Sequence, residues 1–144
     1  MLIYLDNCSF NRPFDNQKQL RIHTETVAKL KIQEEIMKGY FRLAWSYILD
    51  YENNANPYFE RKMTIANWKK RATVDTSETI NILQIAKQLN KVKIKAKDAL
   101  HIACAIEMQC DFFITTDLSL IKKCVNFEKI KVVNPLDFIV HENI

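Results

Sequence analysis

Two apolar runs in this sequence end in the same way. Leu2-Ile3-Tyr4-Leu5 leads directly into Asp6, and Phe112-Phe113-Ile114-Thr115 leads, after one more threonine, into Asp117. Two further acids occupy comparable places. Glu52 lies one helical turn beyond Ile48 and Leu49 and shares their apolar face, whereas Asp50 aligns with Tyr47 and Asn54 and is expected in solvent. Asp98 opens a run of small residues and stands next to Ala99. Each acid alone has a structural explanation, as a helix cap or as a favourable charge at a helix N-terminus. Together they make a stronger demand. Two carboxylates about 6 Å apart repel by roughly 3 kcal/mol at an effective dielectric near 20, so four converging acids require an opposing charge. Mg²⁺ and Mn²⁺ supply it through carboxylate and water oxygens. Such an ion can orient a phosphodiester, generate hydroxide and stabilise a leaving oxygen.

The chemistry depends on elements that hold these acids together. Met1–Leu5, Phe41–Trp45, Phe112–Thr115 and Ile130–Val133 read as short apolar strands. Helices are expected over Asn16–Lys38, ending before the lone glycine Gly39, then from about Tyr47 to Asn53 and over Tyr58–Arg71. Asp75-Thr76-Ser77-Glu78 has the form of a capping pattern and predicts a helix running to about Leu89. Ala96–Gln109 and Leu118–Cys124 complete the set, with Ala99, Ala103 and Ile106 on one face of the former. Apolar strands alternating with helices imply a parallel sheet covered on both faces. In such sheets ligands gather beyond the carboxyl ends of the strands, where Asp6 and Asp117 belong.

Composition sets the remaining bounds. The 144 residues fit one domain spanning 1–144, and 48% hydrophobic content is ordinary for a globular chain. No stretch approaches the roughly 20 apolar residues of a membrane span. No basic-then-apolar leader opens the chain, and Cys8, Cys104, Cys110 and Cys124 form neither a C-x-x-C motif nor a disulfide framework, so a cytoplasmic protein with reduced thiols is expected. The net charge of +4 arises in residues 1–72, which hold 12 basic and 8 acidic residues. Two segments are locally basic: Arg61, Lys62, Lys69, Lys70 and Arg71 form one, and Lys91, Lys93, Lys95 and Lys97 the other. Either can be a solvated face or a hold on a polyanion.

At this point the residues resemble a known family. "IYLDNCSF", "WSYILDYE", "KAKDALHIACAIEMQCD" and "FFITTD", with the tail "IKVVNPLDFI" resembling a closing strand and loop, are similar to the PIN domain, the metal-dependent ribonuclease fold of VapC-type toxins. The most specific part is "KDALHIA" followed, nineteen residues after its aspartate, by the strand-terminal Asp117. The resemblance implies a three-layer α/β/α fold with a central parallel sheet of four to five strands. It implies that Asp6, Glu52, Asp98 and Asp117 bind Mg²⁺ or Mn²⁺ and carry catalysis, with Thr115 as the hydroxyl residue supporting the fourth acid and Ser46 as the serine closing the second strand. It further implies an RNA substrate, an antitoxin partner and a homodimer. Asn7 departs from the threonine or serine that usually follows the first acid.

Other readings remain. Cys8 lacks a nearby base and reads as a small packing residue rather than a nucleophile. His101, one turn from Asp98, reads as a packed or hydrogen-bonded neighbour of the acids. Trp45, Trp68 and the tyrosines read as core or interface anchors. A phosphotransferase using Asp6 as nucleophile would need a second aspartate where Cys8 stands. A noncatalytic PIN-like module that binds RNA or a protein is the main alternative to a ribonuclease.

Overall fold

The computed structural model describes residues 1–144. Five strands form one parallel sheet: β1 (Leu2–Leu5), β2 (Arg42–Ser46), β3 (Ala72–Thr76), β4 (Phe112–Ile114) and β5 (Lys131–Val133), in the order β3-β2-β1-β4-β5. The helices are α1 (Asn7–Asn11), α2 (Leu20–Met37), α3 (Tyr47–Asn54), α4 (Phe59–Trp68), α5 (Ile80–Lys91), α6 (Ala96–Glu107), α7 (Leu118–Lys123) and α8 (Pro135–Glu142). Right-handed crossovers place the helices of the outward leg, β1 to β3, on one face and those of the return leg on the other. Accordingly α5 packs with α6 on the return face, whereas α8, which follows the last strand, crosses to pack with α2 on the outward face. The architecture is three-layer α/β/α.

The central strands are apolar because both faces are covered. Ile3, Tyr4 and Leu5 on β1, Leu43, Ala44 and Trp45 on β2, and Phe113 and Ile114 on β4 are fully buried. Tyr4 stacks on Phe113 with ring centroids 5.2 Å apart, and Phe10 packs on Trp45. Trp45 is a core residue, as its sequence context predicts, and its indole N–H donates to Asp50 at 2.9 Å. Asp50 is therefore not simply solvated. It satisfies a buried donor and pairs with Lys69 at 2.8 Å.

Three elements differ from expectation, the first being the short helix α1 (Asn7–Asn11), which Asp6 caps and which no expected helix covers. The segment Ala72–Thr76 is the edge strand β3, and the helix after it is capped by Thr79, whose side chain accepts from the Ile82 N–H, rather than by the Asp75–Ser77 segment. The strand signal was the alternation of Ala72, Val74 and Thr76 with exposed Thr73 and Asp75, masked by an overlapping cap-like string. The tail after β5 is the helix α8 rather than a loop. Asn134 caps it, accepting from the Asp137 N–H at 2.7 Å, and Pro135 occupies its first turn.

The strand order reverses about β1: the chain moves from β1 to β2 and β3 on one side, then crosses to β4 and β5 on the other. The crevice at the carboxyl ends of β1 and β4 is thus the topological switch point, the place where open α/β sheets bind ligands. Its walls rest on the Tyr4–Phe113 stack. Phe113→Ala should lower unfolding free energy by about 3–5 kcal/mol, read from urea denaturation; a loss under about 1 kcal/mol would show that the sheet centre is not the packing core described.

Candidate metal and catalytic centre

Asp6 leaves β1 at the switch point and caps α1. Its Oδ1 accepts from the Ser9 N–H at 3.0 Å and from the Cys8 thiol at 2.8 Å. Asp117, just beyond β4, caps α7 by accepting from the Leu120 N–H at 3.1 Å, again through Oδ1. In both cases the cap uses one oxygen and fixes the carboxylate at the strand end. Capping and presentation at the pocket are combined here, not alternatives. Asp98 lies in the first turn of α6, and Glu52 in the last turn of α3. All four line one concavity of about 160 Å³, together with Asn7, Cys8 and His101. No lysine or arginine contributes to its wall.

The electrostatics follow from that composition. Burial raises the pKa of Asp98, and the neighbouring charges of Asp117, Asp6 and Glu52 raise it further. Burial also raises Asp6, against the opposing hydrogen bonds from Cys8 and Thr115 and the Ser9 amide. Glu52 behaves differently. Burial works against its ionisation, but the hydrogen bonds from His101 and Asn7, with the charge of Lys97, hold it below the usual carboxylate range. The pocket therefore contains one well-compensated carboxylate and others that lack compensation.

The surrounding residues explain this division. Asn7, the departure from the family pattern, donates through Nδ2 to Glu52 Oε2 at 3.2 Å and is itself held by Asn11. His101 is buried and contacts the other oxygen of Glu52 through Nε2. The Thr115 hydroxyl accepts from the backbone N–H of Asp117 at 3.1 Å, supporting the fourth acid through its main chain. Ser46 closes β2 and caps α3, accepting from the Leu49 N–H at 3.3 Å. Cys8 is more than packing. It lines the pocket, donates to Asp6 and lies 3.3 Å from the Thr115 hydroxyl. Burial and the adjacent Asp6 charge push its thiol pKa far up, so it is no nucleophile. Its short distance from Asp6 in the sequence was the available signal.

The two basic segments separate in space. Lys69, Lys70 and Arg71 immediately precede β3, at the amino end of the sheet and opposite the acids. Arg61 lies at the site end, where it lines a groove with Asn7, Asn11, Glu52, Asn56 and Tyr58. Its guanidinium stacks on the rings of Tyr58 and Phe14, 4.7 and 5.2 Å from their centroids. Lys91, Lys93, Lys95 and Lys97 lead into the first turn of α6, the turn that bears Asp98.

The donor set consists of hard carboxylate oxygens and an amide, chemistry that fits Mg²⁺ or Mn²⁺. No three His, Cys, Asp or Glu side chains already stand in one ion's coordination geometry. The caps occupy only one oxygen of Asp6 and of Asp117, leaving the other free at the pocket.

No protein-family model matches the chain, and no curated protein matches it significantly. Solved structures do match in fold. The crystal structure of VapBC2 from Rickettsia felis, bound to a DNA fragment from their promoter, aligns with a TM-score of 0.57 at 14% identity, covering 93% of this chain and 98% of that one. FitAcB from Neisseria gonorrhoeae aligns with a TM-score of 0.55 at 19% identity, covering 92% of this chain and 97% of that one. The fold is PIN-like. The match runs over nearly the full length of both chains, so the likeness is of the whole fold rather than of one segment.

The raised pKa of Asp98 has a consequence for stability. The folded protein holds this proton more tightly than the unfolded chain, so stability declines as pH rises from the unfolded pKa through the folded one and is recovered on acidification. In metal-free buffer, Asp98→Asn should raise the Tm by a few degrees at neutral pH and by little at a pH of about 3, below the unfolded carboxylate range. A Tm that is unchanged or lowered at neutral pH would contradict the charge crowding described.

Proposed function

We propose that this chain is a divalent-metal-dependent endoribonuclease of the VapC kind, acting as the toxin of a toxin–antitoxin pair in the cytoplasm. The observation that carries the proposal is the wall of the switch-point pocket, which holds four carboxylates and no fixed cation. Asp6, Glu52, Asp98 and Asp117 are its metal-binding and catalytic residues. A bound Mg²⁺ or Mn²⁺ supplies electrostatic stabilisation of a phosphodiester and lowers the pKa of water. The protein contributes position. Strand ends and caps fix Asp6 and Asp117, while His101 and Asn7 keep Glu52 ionised and oriented. Asp98, crowded by its neighbours, is the carboxylate that gains most from a cation.

An RNA backbone passing the pocket meets positive charge on two sides, from Arg61 with its stacked rings and from the lysines leading into α6. Such contacts predict binding that weakens with salt. The toxin role and an antitoxin partner rest on the sequence resemblance, and the fold shared with the VapBC2 and FitAcB structures supports them. A homodimer belongs to the same reading. One observation favours the alternative of a noncatalytic RNA- or protein-binding module: no three ligand side chains are preassembled. The uncompensated acids favour the enzyme.

RNA cleavage should require Mg²⁺ or Mn²⁺, cease in EDTA, and fall by at least about 100-fold in Asp6→Asn and in Asp98→Asn, beyond the usual cost of losing a supporting partner of a metal ligand. Cleavage that survives EDTA or both substitutions would refute the proposal. Exchanging Lys97 for alanine should weaken RNA binding and reduce its salt slope by about one, whereas Lys70→Ala, at the far end of the sheet, should change neither. Equal effects of the two would contradict the path assigned to the backbone.

A further inference from the structure

A tyrosine at the centre of a parallel sheet is an expensive choice, because its hydroxyl must find a partner away from water. Tyr4 has no exposed surface. Its ring is fixed by stacking on Phe113 and by an edge contact with the His101 ring, at centroid separations of 5.2 and 5.7 Å. Its hydroxyl lies 2.6 Å from Ser46 Oγ and 2.5 Å from His101 Nδ1. His101 then reaches Glu52 through its other nitrogen. Ser46 caps α3, the helix whose last turn carries Glu52. These bonds form a closed circuit: β1 to α6 through Tyr4 and His101, α6 to α3 through His101 and Glu52, and α3 back to β1 through Ser46 and Tyr4.

We propose that Tyr4 is a positioning residue for the acidic pocket: its hydroxyl donates to His101 Nδ1 and so holds the ring with Nε2–H directed at Glu52. The hydrogen-bond roles support this assignment. Glu52 as a carboxylate only accepts, so Nε2 must carry a proton. The Nδ1 of a neutral ring is then an acceptor, and the Tyr4 phenol is the only donor bonded to it. With its proton engaged there, Tyr4 accepts from the Ser46 hydroxyl, which in turn accepts from the Leu49 N–H. Every link has one donor and one acceptor. A ring nitrogen oriented by a partner on its far side is the usual device for aiming a histidine, and the target here is a carboxylate rather than a metal.

This inference rests on the reading of Glu52 as a metal ligand for its functional consequence, but the hydrogen-bond arrangement stands apart from it. Tyr4→Phe removes one oxygen and keeps the stacked ring. Two measurements on the full chain separate the possibilities. In metal-free protein, long-range ¹H–¹⁵N spectra should show His101 with one protonated nitrogen, Nε2, and one bare nitrogen, Nδ1; in Tyr4→Phe the two shifts should move towards each other as the ring loses its fixed form. A His101 pattern that is the same in both proteins, or protonated on both nitrogens in the wild type, overturns the proposal whether or not metal binds. Calorimetric titration with Mn²⁺ is the second measurement. Tyr4→Phe should raise the Kd by about 10- to 100-fold, the range expected for an outer partner of a metal ligand. A variant that loses thermal stability but keeps the wild-type Kd would assign Tyr4 a packing role only and overturn the positioning role. Absence of Mn²⁺ binding in the wild type, with the spectra as expected, would refute the metal reading under Proposed function while leaving the Tyr4–His101 assignment standing.

Discussion

Carboxylates that share a small pocket repel one another, by roughly 3 kcal/mol for a pair about 6 Å apart at an effective dielectric near 20, and folding must overcome that repulsion before any function is possible. In this protein caps and packing hold the acids in place against it. The two strand-end aspartates are fixed by caps, and the strands that carry them are the most buried in the sheet. Glu52 is compensated by His101 and Asn7. Asp98 is left with three acidic neighbours raising its pKa and no lysine or arginine in the pocket wall to oppose them. The pocket is thus stabilised as a scaffold and left deficient in positive charge at its centre.

That deficiency organises the rest of the molecule. The strand order reverses beside β1, which opens the crevice where the acids meet. The hydrogen bonds around it are directional: the Asp117 backbone N–H to Thr115, Cys8 to Asp6, Asn7 to Glu52. Cations lie at the rim, as Arg61 and the lysines before α6, and not in the wall. This distribution suits a phosphate chain bridged to the protein by ions from the medium.

Much of this was legible in the sequence because it depended on local pattern. β1 and β4 announced themselves as apolar runs, and the acids after them were conspicuous at strand ends. The spacing from "KDALHIA" to Asp117 carried the fold resemblance. What stayed hidden depended on tertiary context. The edge strand β3 has only three half-buried residues on its inner face, too faint a period to compete with an adjacent cap-like string. The basic segment from Arg61 to Arg71 looked continuous, yet one end flanks the site and the other sits across the sheet. Asp50 looked solvated because its partner, the Trp45 indole, became visible only when β2 and α3 were placed together. Tyr4 looked like any core aromatic, since nothing in one strand indicates which helix supplies a partner for its hydroxyl.

The central claim is that Asp6, Glu52, Asp98 and Asp117 form one divalent-cation site at the switch point. Anomalous scattering from a crystal soaked in millimolar Mn²⁺ tests it directly. The account predicts a peak within the pocket lined by these four acids, lost in Asp98→Asn. A fully soaked crystal with no peak there, or with its Mn²⁺ bound only elsewhere, would contradict it.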